Sequence, residues 1–311
     1  MGHCLLGTPP GCRTHSKNRG AGTWNAIKDG SLYPETASSQ IYSPNLYTSF
    51  TTHTNNKLTV MFSRLAIFAT ACLAIAASAN PVPEKRQTLA QVITRCTVPN
   101  TVALTFDDGP WVYAYDVSKA LVAANATGTF FFNGNNYQCI YDADNVKRVK
   151  YVYDHGHQVA SHTWGHKDLS TLTWDQIHDE MWRVELALTK ILGVVPAFMR
   201  PPYGSYNNLV RQASYVRGQK VVIWDFDSQD SVGASVSQSK ALYDQIISQH
   251  PSTILPLNHE TIETTVHQVL PYAISKLKQA GYRLVTLSEC LGLPAYQRVT
   301  TPGVRDSTWH C

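Results

Sequence analysis

Thr105-Phe106-Asp107-Asp108-Gly109-Pro110 is the most informative stretch of this sequence. The apolar run Val102-Ala103-Leu104 leads into it and predicts a buried strand. Gly109-Pro110 then ends this strand, because such a dipeptide favours a turn. Side chains alternate along a strand, so the two carboxylates point to different sides. One of them could hold a metal ion while the other moves a proton.

Further strand-like runs follow, and a helical pattern separates each run from the next. The seven predicted strands are Val102–Phe106, Gly128–Phe132, His157–Ser161, Ala197–Arg200, Lys220–Trp224, Thr253–Leu257 and Tyr282–Thr286. A capping-box pattern at Thr173 and Gln176 predicts the start of the longest helix, which ends near Leu192. This alternation predicts one α/β domain with a parallel sheet. An open doubly wound sheet and a closed barrel both fit the pattern.

Polar residues follow five of these strands. In a (β/α) barrel the active site lies at the C-terminal ends of the strands, so these residues would share one rim. A purely structural protein does not need carboxylates, imidazoles and a guanidinium at one edge. The five groups are Asp107-Asp108, residues 161–166, residues 200–204, residues 224–230 and Leu257-Asn258-His259.

His162 and His166 are spaced to share one metal ion. With one carboxylate of the Asp107-Asp108 pair they form a His₂-carboxylate set, which leaves coordination positions open for water. Zinc is the first expectation, and an open octahedral geometry would also admit cobalt, nickel or manganese.

The remaining rim residues suit acid–base chemistry. A carboxylate beside the ion can take the proton of a water that attacks a carbonyl, and Arg200 could orient that carboxylate. His259 could protonate the leaving group from the opposite side of the bond. Asp227 is predicted to bind an imidazole there and raise its pKa, with Asp225 and Asp230 as the alternatives.

Taken together, five ordered motifs resemble those of the NodB-homology polysaccharide deacetylases, carbohydrate esterase family 4, in the style of fungal chitin deacetylases. The resemblance covers roughly residues 96–292 and implies a distorted (β/α) barrel with about seven parallel strands. The motifs are Thr105–Pro110, His162-x-x-x-His166, Arg200-Pro201-Pro202-Tyr203, Asp227-x-x-Asp230 and Leu257-x-His259.

The resemblance also assigns roles to residues. Many members have Trp after the second Asp of the fourth motif, whereas Asp230 is followed here by Ser231. Trp111, Tyr137 and Trp164 could supply sugar-stacking surfaces instead. The implied roles are Asp107 as general base, Asp108, His162 and His166 as metal ligands, His259 as general acid, Arg200 as the residue that tunes Asp107, Tyr203 as a backbone donor to the oxyanion and Leu257 as a wall of the acetyl pocket.

The first 86 residues have the pattern of removable segments. Residues 1–60 are rich in Ser, Thr, Asn, Gly and Pro, which predicts disorder or a gene-model extension, with a genuine cytosolic tail as the alternative. Residues 61–79 read as a signal peptide, ending in Ala77-Ser78-Ala79, with a short membrane anchor as the alternative. Residues 80–86 read as a short propeptide, which leaves 87–311 as the catalytic domain.

Four of the seven cysteines lie beyond these segments. An even number in an oxidising compartment predicts two disulfides, and three connectivities are open. We favour Cys96–Cys290 and Cys139–Cys311. Asn125-Ala126-Thr127 is an N-glycosylation sequon. The net charge of +4 is too small and too dispersed for a nucleic-acid partner.

The sequence thus predicts a secreted, monomeric hydrolase in the extracellular space or cell wall, without stable membrane association. Its expected substrate is chitin or chitooligosaccharide, and its expected cofactor is zinc or cobalt. An acetylxylan esterase and a peptidoglycan N-acetylglucosamine deacetylase of the same fold are alternatives. A non-catalytic carbohydrate-binding protein is disfavoured, because both Asp107 and His259 are present.

Overall fold

The computed structural model describes residues 88–311. The predictions for residues 1–60, for the signal peptide and for the propeptide lie outside the described residues. In the described part of the chain, no helix has the length and apolar character needed to cross a membrane.

Groups of strands and helices alternate along the described chain, but the predicted strands Val102–Phe106 and Thr253–Leu257 are each divided between two sheets. The strands are β1 (Val92–Ile93), β2 (Thr101–Val102), β3 (Thr105–Asp107), β4 (Thr129–Phe132), β5 (Gln158–Ser161), β6 (Val194–Pro196), β7 (Phe198–Met199), β8 (Lys220–Val222), β9 (Phe226–Asp227), β10 (Thr253–Ile254), β11 (Pro256–His259), β12 (Arg283–Leu284) and β13 (Tyr296–Val299). The helices are α1 (Ala114–Ala123), α2 (Ala143–Asp154), α3 (Trp174–Leu192), α4 (Asn208–Val216), α5 (Val236–Gln249), α6 (Leu270–Gln279) and α7 (Leu287–Leu291).

Eight strands form one parallel sheet in the order β1-β8-β7-β5-β4-β3-β11-β9. Residues 223–225 alone connect β8, beside one edge, to β9 at the other edge. Since an extended residue spans at most about 3.6 Å, these two regions must lie close together, and the sheet curls towards closure. The distorted (β/α) barrel predicted from the sequence is therefore confirmed.

Several elements differ from the prediction. The edge strands β1 and β9 were missed because each has only two residues, too few to show a periodicity. The predicted seventh strand is reduced to β12, which joins β2 and β10 in a separate three-stranded sheet. The predicted helix 265–280 begins with a turn of π-helix, Thr265–Val269, before α6. The helix α7 was not predicted.

The alternation of side chains in β4 divides the core into two layers. Phe130 and Phe132 belong to the cluster that packs the sheet against the helices. Phe131 belongs to a second cluster, with Ala160 and Phe198 of neighbouring strands, which fills the inside of the curled sheet. Asp107 pairs in register with Phe131, so its side chain also faces the inside, at the end of the strand.

Local signals fix the ends of the longest helix. Thr173 and Gln176 form the predicted capping box, in which each side chain binds the other residue's backbone N–H. Gly193 ends α3 in the left-handed conformation with φ 75°. This helix lies directly after the loop that carries the histidine pair.

Both favoured disulfides are present. Cys96–Cys290 joins the segment after β1 to α7, and Cys139–Cys311 joins the segment after β4 to the C-terminus. They close sequence separations of 194 and 172 residues, which restricts the unfolded chain. Two disulfides are consistent with a secreted protein.

Candidate active site

Strand register brings the two predicted proton-transfer groups together. His259, the last residue of β11, is the register partner of Asp107, the last residue of β3. Neighbouring strands lie about 4.8 Å apart, and register partners in a parallel pair point to the same face. Asp108 follows with φ 73°, a left-handed conformation that directs its side chain away from the strand's alternation. The adjacent aspartates therefore occupy different positions at the rim.

A buried arginine fixes the carboxylate of Asp107. Nη1 of Arg200 donates to Oδ1 of Asp107 at 2.9 Å and to Oγ1 of Thr105 at 2.6 Å. Nη2 donates to the carbonyl of Ile223 at 3.1 Å, and Arg200 is fully buried. The second carboxylate oxygen, Oδ2, lies 3.7 Å from Nε2 of His162. One oxygen is thus held by a charge-assisted hydrogen bond, while the other faces the histidines.

Asp108, His162 and His166 form a possible metal-binding triad. Oδ1 of Asp108 lies 3.5 Å from Nε2 of His162 and 3.1 Å from Nε2 of His166. The ligand atoms of the three side chains all lie within 4.8 Å of one another. Within residues 88–311, this is the one group of three or more His, Cys, Asp or Glu side chains so arranged.

The chemistry of this donor set fits a divalent cation. Nδ1 of His162 donates to the carbonyl of Arg200 at 2.7 Å, which fixes the ring with Nε2 on the side of Asp108. Oδ1 of Asp108 is buried and, among the described residues, has no hydrogen-bond partner. Burial alone would raise the pKa of Asp108, but the imidazoles of His162 and His166 hold it well below its usual range. The carboxylate is therefore ready to act as a ligand.

The partner of His259 is Asp230, so the prediction of Asp227 for this role is wrong. Oδ1 of Asp230 lies 2.8 Å from Nδ1 of His259, and Oδ2 accepts its backbone N–H at 2.8 Å. Asp227 instead accepts the backbone N–H of Gln229. The reason is local: Asp227 is level with Leu257, two residues before His259, and a left-handed turn at Gln229 (φ 58°) brings Asp230 to the imidazole.

Asp230 also sets the protonation of His259. Burial alone would lower the pKa of this imidazole. The hydrogen bond and charge of Asp230, with the charges of Asp107 and Asp108, outweigh burial and raise the pKa to about 9. Its Nδ1 carries the proton shared with Asp230. At neutral pH the side chain is therefore a cation that can donate a proton.

These groups open into a pocket of about 500 Å³. Leu257 and Tyr203 line it, and Tyr203 has a left-handed backbone with φ 60° and ψ 8°. Trp224 also lines it and was missed. The indole ring of Trp224 packs against Gly204. A Cβ atom at residue 204 would lie 2.9 Å from this ring. Ser231, the residue after Asp230, lines the same pocket.

Trp164 does not face this pocket, so its prediction as a substrate-binding residue is wrong. The side chain is 5% exposed and packs near Tyr141, with the guanidinium of Arg183 4.0 Å from its ring. The chain turns at Thr163 (φ 68°), and the indole packs into the core. Tyr137, another of the three predicted aromatic residues, does line the pocket.

Glu260 is a second residue that sequence reasoning missed. It is fully buried, and its Oε1 accepts the backbone N–H of Trp111 at 2.7 Å. The carboxyl group lies against Gly109, where a Cβ would be 1.8 Å from Oε1, so only glycine fits beside it. Burial raises the pKa of Glu260 to about 8, and the N–H of Trp111 offsets only part of this rise. Glu260 thus packs behind the turn that follows Asp108.

The side chains at this rim are typical of a hydrolytic enzyme. Asp107 can take a proton, His259 can give one, and they lie in register at the mouth of one pocket beside a metal-donor set.

Comparisons with known proteins indicate which family of hydrolases this chain is similar to. Residues 94–222 match the family described as Polysaccharide deacetylase. A chitin deacetylase of a Pestalotiopsis species is 39% identical over 230 residues, which are 73% of this chain and 76% of that protein. A chitin deacetylase of Colletotrichum lindemuthianum is 32% identical over 72% of this chain and 92% of that protein. The solved structure of the chitin deacetylase from this fungus aligns with a TM-score of 0.63 at 30% identity, covering 67% and 94% of the two chains.

This chain therefore belongs to the polysaccharide deacetylase family. The resemblance stated from its five motifs is confirmed, and the protein is a polysaccharide deacetylase of the hydrolase class.

Proposed function

We propose that this protein is a secreted, metal-dependent deacetylase that removes N-acetyl groups from the N-acetylglucosamine units of chitin or chitooligosaccharides. The observation that carries the proposal is the register pairing of Asp107 with His259 beside the Asp108–His162–His166 triad. The similarity to two fungal chitin deacetylases supports the choice of substrate.

Asp108, His162 and His166 would hold the ion, with zinc expected first and cobalt as the alternative. The proposal is supported by the convergence of their ligand atoms and by the hydrogen bond that fixes the His162 ring. A divalent cation bound there would act as a Lewis acid and lower the pKa of a nearby water.

Asp107 acts as the general base. Arg200 holds Oδ1 at 2.9 Å, which fixes the plane of the carboxylate and leaves Oδ2 beside the ligand set. From this position Oδ2 takes the proton of the water that attacks the acetyl carbonyl. Arg200 acts through Asp107, because it is fully buried.

His259 acts as the general acid. Asp230 holds Nδ1, so the second ring nitrogen is the one that can reach the pocket. The imidazolium gives its proton to the sugar nitrogen as the bond between nitrogen and the acetyl carbon breaks. A free amine and acetate are the products.

The remaining contacts position the substrate. The backbone N–H of Tyr203 stabilises the oxyanion, and Leu257 contacts the acetyl methyl group. Tyr137 and Trp224 offer aromatic surface to the sugar rings, which is supported by their place in the lining of the pocket.

We also propose that the chain is secreted and that its N-terminal segments are removed. Residues 61–79 would direct secretion, 80–86 would be removed, and residues 87–311 would act outside the cell or in the cell wall as a monomer. Residues 1–60 would be absent from the mature protein. The two disulfides support an oxidising destination.

Asp230→Asn should shift the pH dependence of the reaction. The substitution removes the negative charge that stabilises the imidazolium, so the pKa of His259 falls from about 9. The acid is active only when it is protonated, so the alkaline decline of kcat/KM moves to lower pH. A pH profile of kcat/KM measures this shift. Asp227→Asn is the matched control and should leave the alkaline decline in place, and an equal shift in both variants would contradict the assignment.

A substrate comparison tests the proposed activity. The secreted protein, supplied with zinc, is incubated in parallel with chitooligosaccharides and with acetylated xylan, and acetate and product masses are measured. We expect loss of acetyl mass from the chitooligosaccharides. Release of acetate from xylan alone would overturn the choice of substrate and favour an esterase.

A further inference from the structure

The loop that carries His166 rests on one buried side chain of α3. Glu180 is 1% exposed, and its Oε2 accepts the backbone N–H of Gly165 at 2.7 Å. Its Oε1 lies 2.8 Å from Nζ of Lys167. The two partners of this carboxylate are therefore the residues directly before and after His166.

The conformation of this loop needs such support. Thr163 and His166 both have left-handed backbones, with φ of 68° and 54°. Non-glycine residues keep this conformation only where the surrounding structure holds it. The hydrogen bond that Glu180 accepts from the backbone N–H of Gly165, directly before His166, is of this kind.

The two histidines of the triad are held in different ways. The ring of His162 is fixed by the hydrogen bond from its Nδ1 to the carbonyl of Arg200. For His166, the contacts found among residues 88–311 are ring contacts with His162 and Tyr203 and the approach of Nε2 to Asp108, with no such bond to Nδ1. The direction of the His166 ring therefore depends on its backbone.

We infer that Glu180 is a positioning residue of the metal site. By accepting the backbone N–H of Gly165 it fixes the backbone that leads into His166, and thereby the position of the His166 ring beside Asp108 and His162. A partner of a metal ligand typically changes affinity by about 10–100-fold when it is removed. This inference rests on the proposed function, since it requires that the triad binds a cation.

The test measures zinc affinity, by competition with a chromophoric chelator, together with the absorption spectrum of bound cobalt. Glu180→Ala should weaken zinc binding by about 10–100-fold and alter the cobalt spectrum. Glu180→Gln should lie between wild type and Glu180→Ala, because its amide oxygen can still accept the N–H of Gly165. Thermal unfolding of the metal-free proteins reports any loss of stability separately.

Glu185→Ala is the matched control on the same helix. Glu185 is also largely buried, and its carboxylate pairs with Arg217 at 2.7 and 2.5 Å, away from the triad. Its loss should lower thermal stability and leave zinc affinity unchanged. Should Glu180→Ala not fold, Glu180→Gln is compared with Glu185→Gln, and weaker zinc binding is expected only in the former.

Two results would overturn the inference alone: wild-type zinc affinity in the Glu180 variants, or equal weakening in the Glu185 control. Failure of the wild-type protein to bind zinc would instead overturn the proposed function, and the inference with it.

Discussion

Asp107→Asn should reduce turnover of chitooligosaccharide by roughly 10³-fold, within the range that a general base contributes. Asparagine keeps the shape of the side chain and can still accept a hydrogen bond from Arg200, which now lies 2.9 Å from Oδ1. It cannot take a proton from water. Zinc affinity should stay close to that of the wild-type protein, because Asp108 and the two histidines are unchanged.

Steady-state kinetics and a zinc titration on the same protein sample measure both effects. Asp116→Asn is the control, since it removes an exposed carboxylate that also pairs with a histidine, His267, outside the site. It should change neither turnover nor zinc affinity. Near-normal turnover of Asp107→Asn would show that another group is the base. Loss of zinc in this variant would show that Asp107 is a ligand as well.

His162→Ala should weaken both metal binding and turnover. The substitution deletes one of three ligands, so zinc affinity should fall by more than the roughly 100-fold that the loss of a supporting partner can cause. Turnover at limiting zinc should fall with it. Competition with a chelator gives the affinity, and release of acetate gives the turnover.

A second buried histidine provides the control for His162→Ala. His157 and His162 are both 2% exposed, but His157 contacts Oγ of Ser118 and the backbone N–H of Gly128. His157→Ala should lower the melting temperature, because it leaves buried polar groups without partners, and should keep zinc affinity. Equal loss of zinc in both variants would mean that general loosening, and not a lost ligand, explains the effect.

The strand-end segments were predictable because the relevant residues follow apolar runs in the chain. Asp107 and His259 come at the ends of such runs, and a parallel sheet brings strand ends to one rim. The start of α3 was also predictable, because a capping box is a local sequence signal. These features depend on near neighbours or on a regular repeat.

The two incorrect predictions, for Asp227 and Trp164, have a different physical origin. Whether Asp227 or Asp230 meets His259 depends on a left-handed turn at Gln229, a residue type that gives no signal for it. Trp164 follows a predicted ligand, but the direction of its side chain depends on the backbone of the loop at Thr163. In both cases one backbone angle decides which side chain reaches the site.

Partners distant in the chain were also beyond sequence reasoning. Glu260 lies beside Gly109 and Glu180 beside Gly165, and neither carboxylate belongs to a recognisable spacing. Trp224 had a weak signal, since it ends a predicted strand at the rim. A tryptophan at the end of a predicted strand, next to the polar residues of the rim, indicates a residue that lines the pocket.

Metal dependence of acetate release is the most direct test of the proposed mechanism. Chitooligosaccharide is incubated with protein stripped of metal, and zinc is then added in steps up to one equivalent, while acetate is measured at each step. We predict no release above background from the stripped protein and full recovery near one zinc per chain. Full release of acetate by thoroughly stripped protein would contradict the account.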